Sequence, residues 1–258
     1  MALSRRHPAV LATVIGVALG TMGVAYATVD SSTKPKATVA SQTQVEEGKA
    51  LYIEGCSSCH GLAAQGTSDG PSLIGVGAAA VDFQVASGRM PMAGPGVQAP
   101  AKKVIYNEEE IAALAAYVAT LGPGPAIPTA EMLDTSDAEL ALGGELFRTN
   151  CAQCHSASGR GGALSEGRIA PSLMASDDKE IYEAMITGPQ NMPVFSDSTL
   201  PVEDKQAIIA YIQELQKGEN PGGNGLGRLG PVTEGLFVWV AGLGALLTVA
   251  IWIGAKAK

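Results

Sequence analysis

The chain is predicted to be all-α: two helical units in tandem, carried between two apolar ends. Three observations predict this. The middle of the sequence states one pattern twice, each copy joining a Cys-x-x-Cys-His run to an amphipathic helix. Alternation of apolar and polar residues at strand spacing is scarce in both copies. The C-terminal run Leu236 to Gly254 carries no charge and has the length of a membrane helix.

At the N-terminus Arg5, Arg6 and His7 precede an uncharged stretch from Pro8 to Val29, which Asp30 ends. This is the layout of an export signal, and Ala25-Tyr26-Ala27 offers a small-x-small cleavage site. The same run is long enough to remain in the bilayer. Residues 1–29 are therefore read as an export signal or an N-terminal transmembrane anchor, and residues 30–43, rich in Thr, Ser, Lys and Ala, as a tether.

The first unit covers residues 44–121 and the second 139–217. They open with "EEGKALYIEGCSSCHG" and "LGGELFRTNCAQCHSA". Gly48 with Tyr52, and Gly143 with Phe147, are four residues apart and share one face of a short helix. Each unit continues through "GPSL" or "APSL", with prolines Pro71 and Pro171, to a Met-Pro pair, Met90-Pro91 or Met192-Pro193.

Each unit then closes with an amphipathic helix. In the first, Asn107 and Glu110 have the spacing of a capping box, and Ile111, Leu114 and Val118 form a stripe with Tyr117 beside it. In the second, Ile208, Tyr211, Ile212 and Leu215 form the matching stripe. Both stripes are read as core, packed on the helix that carries the glycine and the aromatic ring.

"GPGPAIP" cannot continue a helix, so residues 122–138 are read as a linker. Residues 218–233, rich in glycine, form a second, flexible one. It leads to the transmembrane helix, residues 234–255, with Trp239 and Trp252 near its opposite ends. Lys256 and Lys258 follow this helix, and positive residues stay on the cytoplasmic side. The C-terminus is thus expected inside and both units outside the plasma membrane, an orientation the N-terminal arginines share.

Between Gln44 and Asn220 there are 23 acidic and 10 basic side chains, a balance of −13. Such a surface repels phosphate backbones and excludes nucleic acid as a partner. It serves equally well as a solvated face or as a dock for a basic protein.

All four cysteines lie in the two CxxCH runs, and apart from His7 the only histidines are His60 and His155. Zinc could take four thiolates, but Cys56/Cys59 and Cys151/Cys154 are a whole unit apart, and such a site needs no histidine after each pair. A redox dithiol expects a βαβ context, and simple disulfides suit an oxidising compartment; neither uses the histidines. CxxCH is also the attachment signal of a c-type haem, in which two cysteines bond the vinyl groups and the histidine binds the iron. Two covalent haem c groups would supply the bulk that a 5% aromatic content leaves missing from two small cores.

With no histidine left over, methionine is the natural sixth ligand. Met192 in "GPQNMPVF" is the candidate in the second unit; Met185 suits a helix core, and Met174 lies close to the proline loop. In the first, "GRMPM" offers Met90 and Met92, and the matching Met-Pro pair favours Met90. The Pro71 and Pro171 carbonyls could orient the imidazoles of His60 and His155 through Nδ1, or these prolines simply turn the chain.

In order of elements each unit resembles a class I cytochrome c. The tandem arrangement, "GPSLIGVG", "GRMPM", "GPQNMP" and the single C-terminal membrane helix are similar to the dihaem cytochrome c subunit of the actinobacterial cytochrome bc1 (bcc) complex. That resemblance implies a membrane-anchored relay within a proton-translocating quinol–cytochrome c reductase. Its electrons would come from the Rieske iron–sulfur subunit beside cytochrome b and leave for a cytochrome aa3 oxidase, with no bond-making chemistry of its own. It implies that Cys56, Cys59, His60 and Met90 hold one haem, and Cys151, Cys154, His155 and Met192 the other. A dihaem carrier or dehydrogenase subunit of another respiratory complex would use the same residues. A peroxidase needs an open iron and a polar distal base, for which no spare histidine exists.

Overall fold

The computed structural model describes residues 10, 12–22, 40–218, 226 and 231–256. Contacts divide the chain into Met1–Val39 and Ala40–Lys258. In the first of these, α1 (Ala12–Met22) is apolar, exposed throughout and shorter than a membrane span. Residues 1–9, 11 and 23–29 of the expected signal or anchor, and 30–39 of the tether, lie outside the described residues.

The rest is built from helix pairs. Ser41 starts α2 (Gln42–Gly55), its hydroxyl accepting from the Gln44 N–H at 3.2 Å. Later, α5 (Glu108–Ala119) begins in a full capping box: Asn107 accepts from the Glu110 N–H at 2.9 Å, and the Glu110 carboxylate accepts from the Asn107 N–H at 2.8 Å. α5 buries Ile111, Leu114, Tyr117 and Val118 against α2 and against α4 (Ala78–Ala86). Between α2 and α4 lies one helical turn, α3 (Ser57–His60).

The second half repeats the plan. α7 (Leu140–Asn150) packs on α10 (Val202–Lys217), with a single turn α8 (Ala152–His155) after α7 and α9 (Asp178–Thr187) before α10. Residues 122–138 also carry a short helix, α6 (Ala130–Leu133), whose Met132 and Leu133 pack on the second core. A small antiparallel hairpin, β1 (Gly162–Ala163) with β2 (Ile169–Ala170), pairs Gly162 with Ala170 and Ala163 with Ile169. No sequence periodicity announces either element.

The two helix pairs cross in the same way. A Cβ on Gly48 would overlap the carbonyl of Ala113 in α5, and a Cβ on Gly143 would overlap that of Ala207 in α10. One turn on, the Tyr52 ring lies 5.3 Å from Tyr117, tilted 48°, and the Phe147 ring 5.4 Å from Tyr211, tilted 47°. Aromatic pairs at such offsets add attraction to the area they bury. The tandem repeat is thus one geometry built twice.

At the C-terminus α11 (Pro231–Phe237) runs through a π-helical turn, Val238–Leu243, into α12 (Gly244–Lys256). Thr233–Lys256 is a helix of 24 residues whose most apolar stretch has mean hydropathy 2.3 and holds no buried residue, long and apolar enough to cross a membrane. Lys256 places its ammonium 4.7 Å from the Trp252 ring centre. The linker residues 219–225 and 227–230 lie outside the described residues.

A methyl group at either crossing must push the helices apart or distort them. Gly48→Ala and Gly143→Ala are expected to cost about 1–3 kcal/mol each, the range for overpacked cores. Thermal unfolding followed by circular dichroism should show a lower Tm for both, and an unchanged Tm would contradict the close crossing.

Candidate haem sites

Each CxxCH run sits where a helix stops. Cys56 caps the C-terminus of α2 and Cys151 that of α7, their N–H groups bonding back to Tyr52 and Phe147 carbonyls at 2.9 Å. The next turn, α3 or α8, carries the second cysteine and the histidine. Tyr52 donates its phenolic hydrogen to the Gly61 carbonyl at 2.6 Å, tying the end of the first run to the core.

Both histidines face a proline carbonyl. His60 Nδ1 lies 2.7 Å from Pro71 O, and His155 Nδ1 lies 2.9 Å from Pro171 O. A carbonyl can only accept, so Nδ1 carries the hydrogen in both rings, and in the neutral ring Nε2 keeps its lone pair. Burial lowers the His155 pKa, with the Pro171 contact opposing it, and so favours the neutral ring a metal needs.

The four thiols are free. Burial, with a smaller contribution from the neighbouring thiol, pushes Cys56 and Cys151 up to about 11. Redox-active CxxC pairs depend on the opposite shift. Among the described residues no three His, Cys, Asp or Glu side chains gather as a metal site, so the donor set for zinc is missing.

In the second half, Cys151, Cys154, His155 and Met192 line one cleft, with about 1250 Å³ of empty space including its mouth. Leu173, Ile181, Met185, Phe195, Ile208 and Ile212 make its walls apolar, and Met185 belongs to the core as well. Two thiols for thioether bonds, an imidazole nitrogen and a thioether sulfur around an apolar slot fit a covalently held porphyrin iron. In the first half, Cys56 and Met90 pack on the same hydrophobic cluster, whereas Met92 reaches toward Gly96. Met174 lies beside Gly159, outside the cleft.

Comparison with known proteins places this geometry in a family. The cytochrome c subunit of the cytochrome bc1 complex of Corynebacterium efficiens is 48% identical over 232 residues, 83% of this chain and 78% of that protein. The same subunit of Corynebacterium diphtheriae is 48% identical over 83% of this chain and 82% of its own length, and that of Mycobacterium tuberculosis 46% identical over 86% and 82%. The chain belongs to the family of cytochrome bc1 complex cytochrome c subunits.

The family model described as cytochrome c matches residues 45–122, and that described as cytochrome C oxidase, cbb3-type, subunit III matches 138–212. The subunit is thus two cytochrome c domains, the kind that carries covalently bound haem c. A chain of the Kuenenia stuttgartiensis reducing HAO-like protein complex superposes with TM-score 0.34 at 15% identity, over 70% of this chain and 99% of that one. That likeness is too distant to bear on the fold.

Sequence reasoning missed how the domains meet at the second cleft. Its lining includes Phe83, Arg89 and the stretch Gln98–Ala101, all from the first domain. Arg89 belongs to "GRMPM", but nothing in that run directs it across the junction. No periodicity marks Gln98.

α9 serves both sides of this junction. Ile181, Ala184 and Met185 face the cleft, while Lys179 and Glu183 meet Asp82 of α4. Lys179 Nζ lies 2.5 Å from Asp82 Oδ2, and Glu183 is 1% exposed. Burial, then the charge of Asp82, pushes the Glu183 carboxyl up to about 9, so it is protonated at neutral pH. A carboxyl raised in the folded state stabilises the fold below its unfolded pKa and loses that contribution as pH rises through the folded one. Stability should fall between about pH 5 and 9, and Glu183→Gln should flatten that slope. Melting curves across this range would read it directly, and an unaltered slope in the variant would contradict the assignment.

Proposed function

We propose that the chain is the membrane-anchored dihaem relay of a quinol–cytochrome c reductase, taking electrons from the Rieske iron–sulfur subunit and passing them to a terminal cytochrome oxidase. The observation that carries this reading is the duplicated site. In the second domain a cysteine pair, a histidine held through Nδ1 and a methionine line one cleft; in the first the matching histidine is held in the same way and Cys56 and Met90 pack on one cluster, on a chain with a membrane-length helix and with relatives named as bc1 subunits.

In this reading Cys56 and Cys59 tether the first haem, with His60 and Met90 as iron ligands, and Cys151 and Cys154 tether the second, with His155 and Met192. Each haem c supplies an iron that accepts and releases one electron. The protein does the rest. The prolines fix the histidine rings through Nδ1, which removes a tautomer choice and makes Nε2 a better donor. The apolar walls exclude water, and a methionine and a histidine on the same iron would give it a high potential. Met90 is favoured over Met92 because it packs on the cluster that also contacts Cys56.

The terminal helix holds both domains on the outer face of the plasma membrane, with Lys256 and Lys258 on the cytoplasmic side. A relay of fixed partners needs no diffusing carrier, so cytochrome b, the Rieske subunit and an aa3 oxidase are its expected neighbours. The match of the second domain to a cbb3-type oxidase subunit supports a second reading, a dihaem subunit of a different respiratory complex.

Purification in mild detergent separates the two. Native mass spectrometry should report two covalent haems together with cytochrome b and Rieske subunits; co-purification with oxidase subunits alone would favour the second reading. Met192→Ala should lower the midpoint potential of one haem while both stay attached, and an unchanged potential would remove Met192 from the iron. Of Met90→Ala and Met92→Ala, only the first should disturb the low-spin spectrum of the other haem.

A further inference from the structure

The second cleft is not finished by its own domain. Gln98, from the first domain, donates from Nε2 to the Ile169 carbonyl at 2.6 Å and accepts at Oε1 from the Ile169 N–H at 3.0 Å. On the opposite flank Gln190, two residues before Met192, donates to the Ala99 carbonyl at 3.3 Å. The stretch Gln98–Ala101 is thereby fastened across the cleft and forms part of its wall.

Two guanidinium groups line the same cleft. Arg89 comes from the first domain, is 9% exposed, stacks 4.8 Å from the Phe83 ring centre and places Nη1 3.0 Å from Glu180 Oε1. Arg168 comes from the second domain, in the hairpin loop just before β2. Its Nη2 lies 3.3 Å from Glu166, whose side chain is 71% exposed, while its Nε is buried with no hydrogen-bond partner in the protein. A guanidinium offers five N–H donors in a planar fork, and a buried donor left without an acceptor is costly. Both forks therefore have capacity for anionic oxygens inside a mainly apolar slot.

Haem c carries two carboxylates on one edge, and buried carboxylates need paired donors. We propose that Arg89 and Arg168 bind the carboxylate-bearing edge of the second haem, so that this site is completed by the first domain. This rests on the assignment of Cys151, Cys154, His155 and Met192 to that haem. Arg89 is adjacent in the chain to Met90, and so connects the ligand loop of one haem to the charge of the other. It is a positioning residue, and it also tunes potential: a cation near an iron favours the reduced state because reduction adds negative charge.

The test uses the full chain in its purified complex. Midpoint potentials of both haems are read by spectroelectrochemistry, and the carboxylate bending bands by resonance Raman. Arg89→Gln and Arg168→Gln should each lower the second haem's potential and shift its carboxylate band, with both haems still attached. Arg89→Lys should recover part of the potential, and Glu180→Gln should raise it. If the Arg89–Glu180 pair merely clamps the domains, Arg89→Gln and Glu180→Gln break the same contact and move the potential in the same direction, which would overturn the proposal. Unchanged potentials and bands in both arginine variants would overturn it too. Arg168→Gln stands as a separate check should Arg89→Gln fail to fold. Met192→Ala run alongside distinguishes the failures: a shift there with none in the arginine variants removes only this proposal, whereas no shift there removes the underlying ligand assignment.

Discussion

Each domain hangs from a crossing of two helices so close that neither Gly48 nor Gly143 has space for a side chain. That contact sets the register of everything after it. One turn later Tyr52 and Phe147 wedge against Tyr117 and Tyr211, and one turn beyond that the helices end at Cys56 and Cys151. The CxxCH runs thus leave the same point of the frame in both domains. The returning chain then brings a proline carbonyl to the histidine from the opposite side. Packing, rather than any bond within the motif, determines where the imidazoles stand.

What was legible in the sequence is what is local. Helix spacing and end chemistry are written within a few residues, so Gly48 with Tyr52, the capping box at Asn107 and Glu110, and the stripes on α5 and α10 could be read directly. The membrane-length helix was legible from composition, its π turn at Val238–Leu243 was not. The junction between domains was opaque for a different reason. Which faces two folded units turn toward one another depends on the sum of many weak contacts, and neither Arg89 nor Gln98 belongs to a repeating pattern. Both copies of a duplicated unit look equivalent in sequence, and nothing in either copy shows that the second cleft takes a wall from its neighbour.

That shared wall gives α9 two duties. One face lines the cleft, and the other buries Glu183 beside Asp82 and Lys179. In a chain this acidic, keeping one carboxyl protonated relieves repulsion where the domains touch, and it does so without recruiting another cation. The packing that encloses the cleft and the charge state of the junction therefore share a single helix.

The contact between Gln98 and Ile169 has a further consequence for what this join asks of each side. The amide of Gln98 meets both main-chain groups of one residue, as a neighbouring strand would. On the Ile169 side both bonds use main-chain groups, and the side chain is 59% exposed. The seam itself therefore asks of position 169 only an extended backbone, whereas position 98 must supply a donor and an acceptor at the reach of glutamine. The two halves of one seam thus place unequal chemical demands on their side chains.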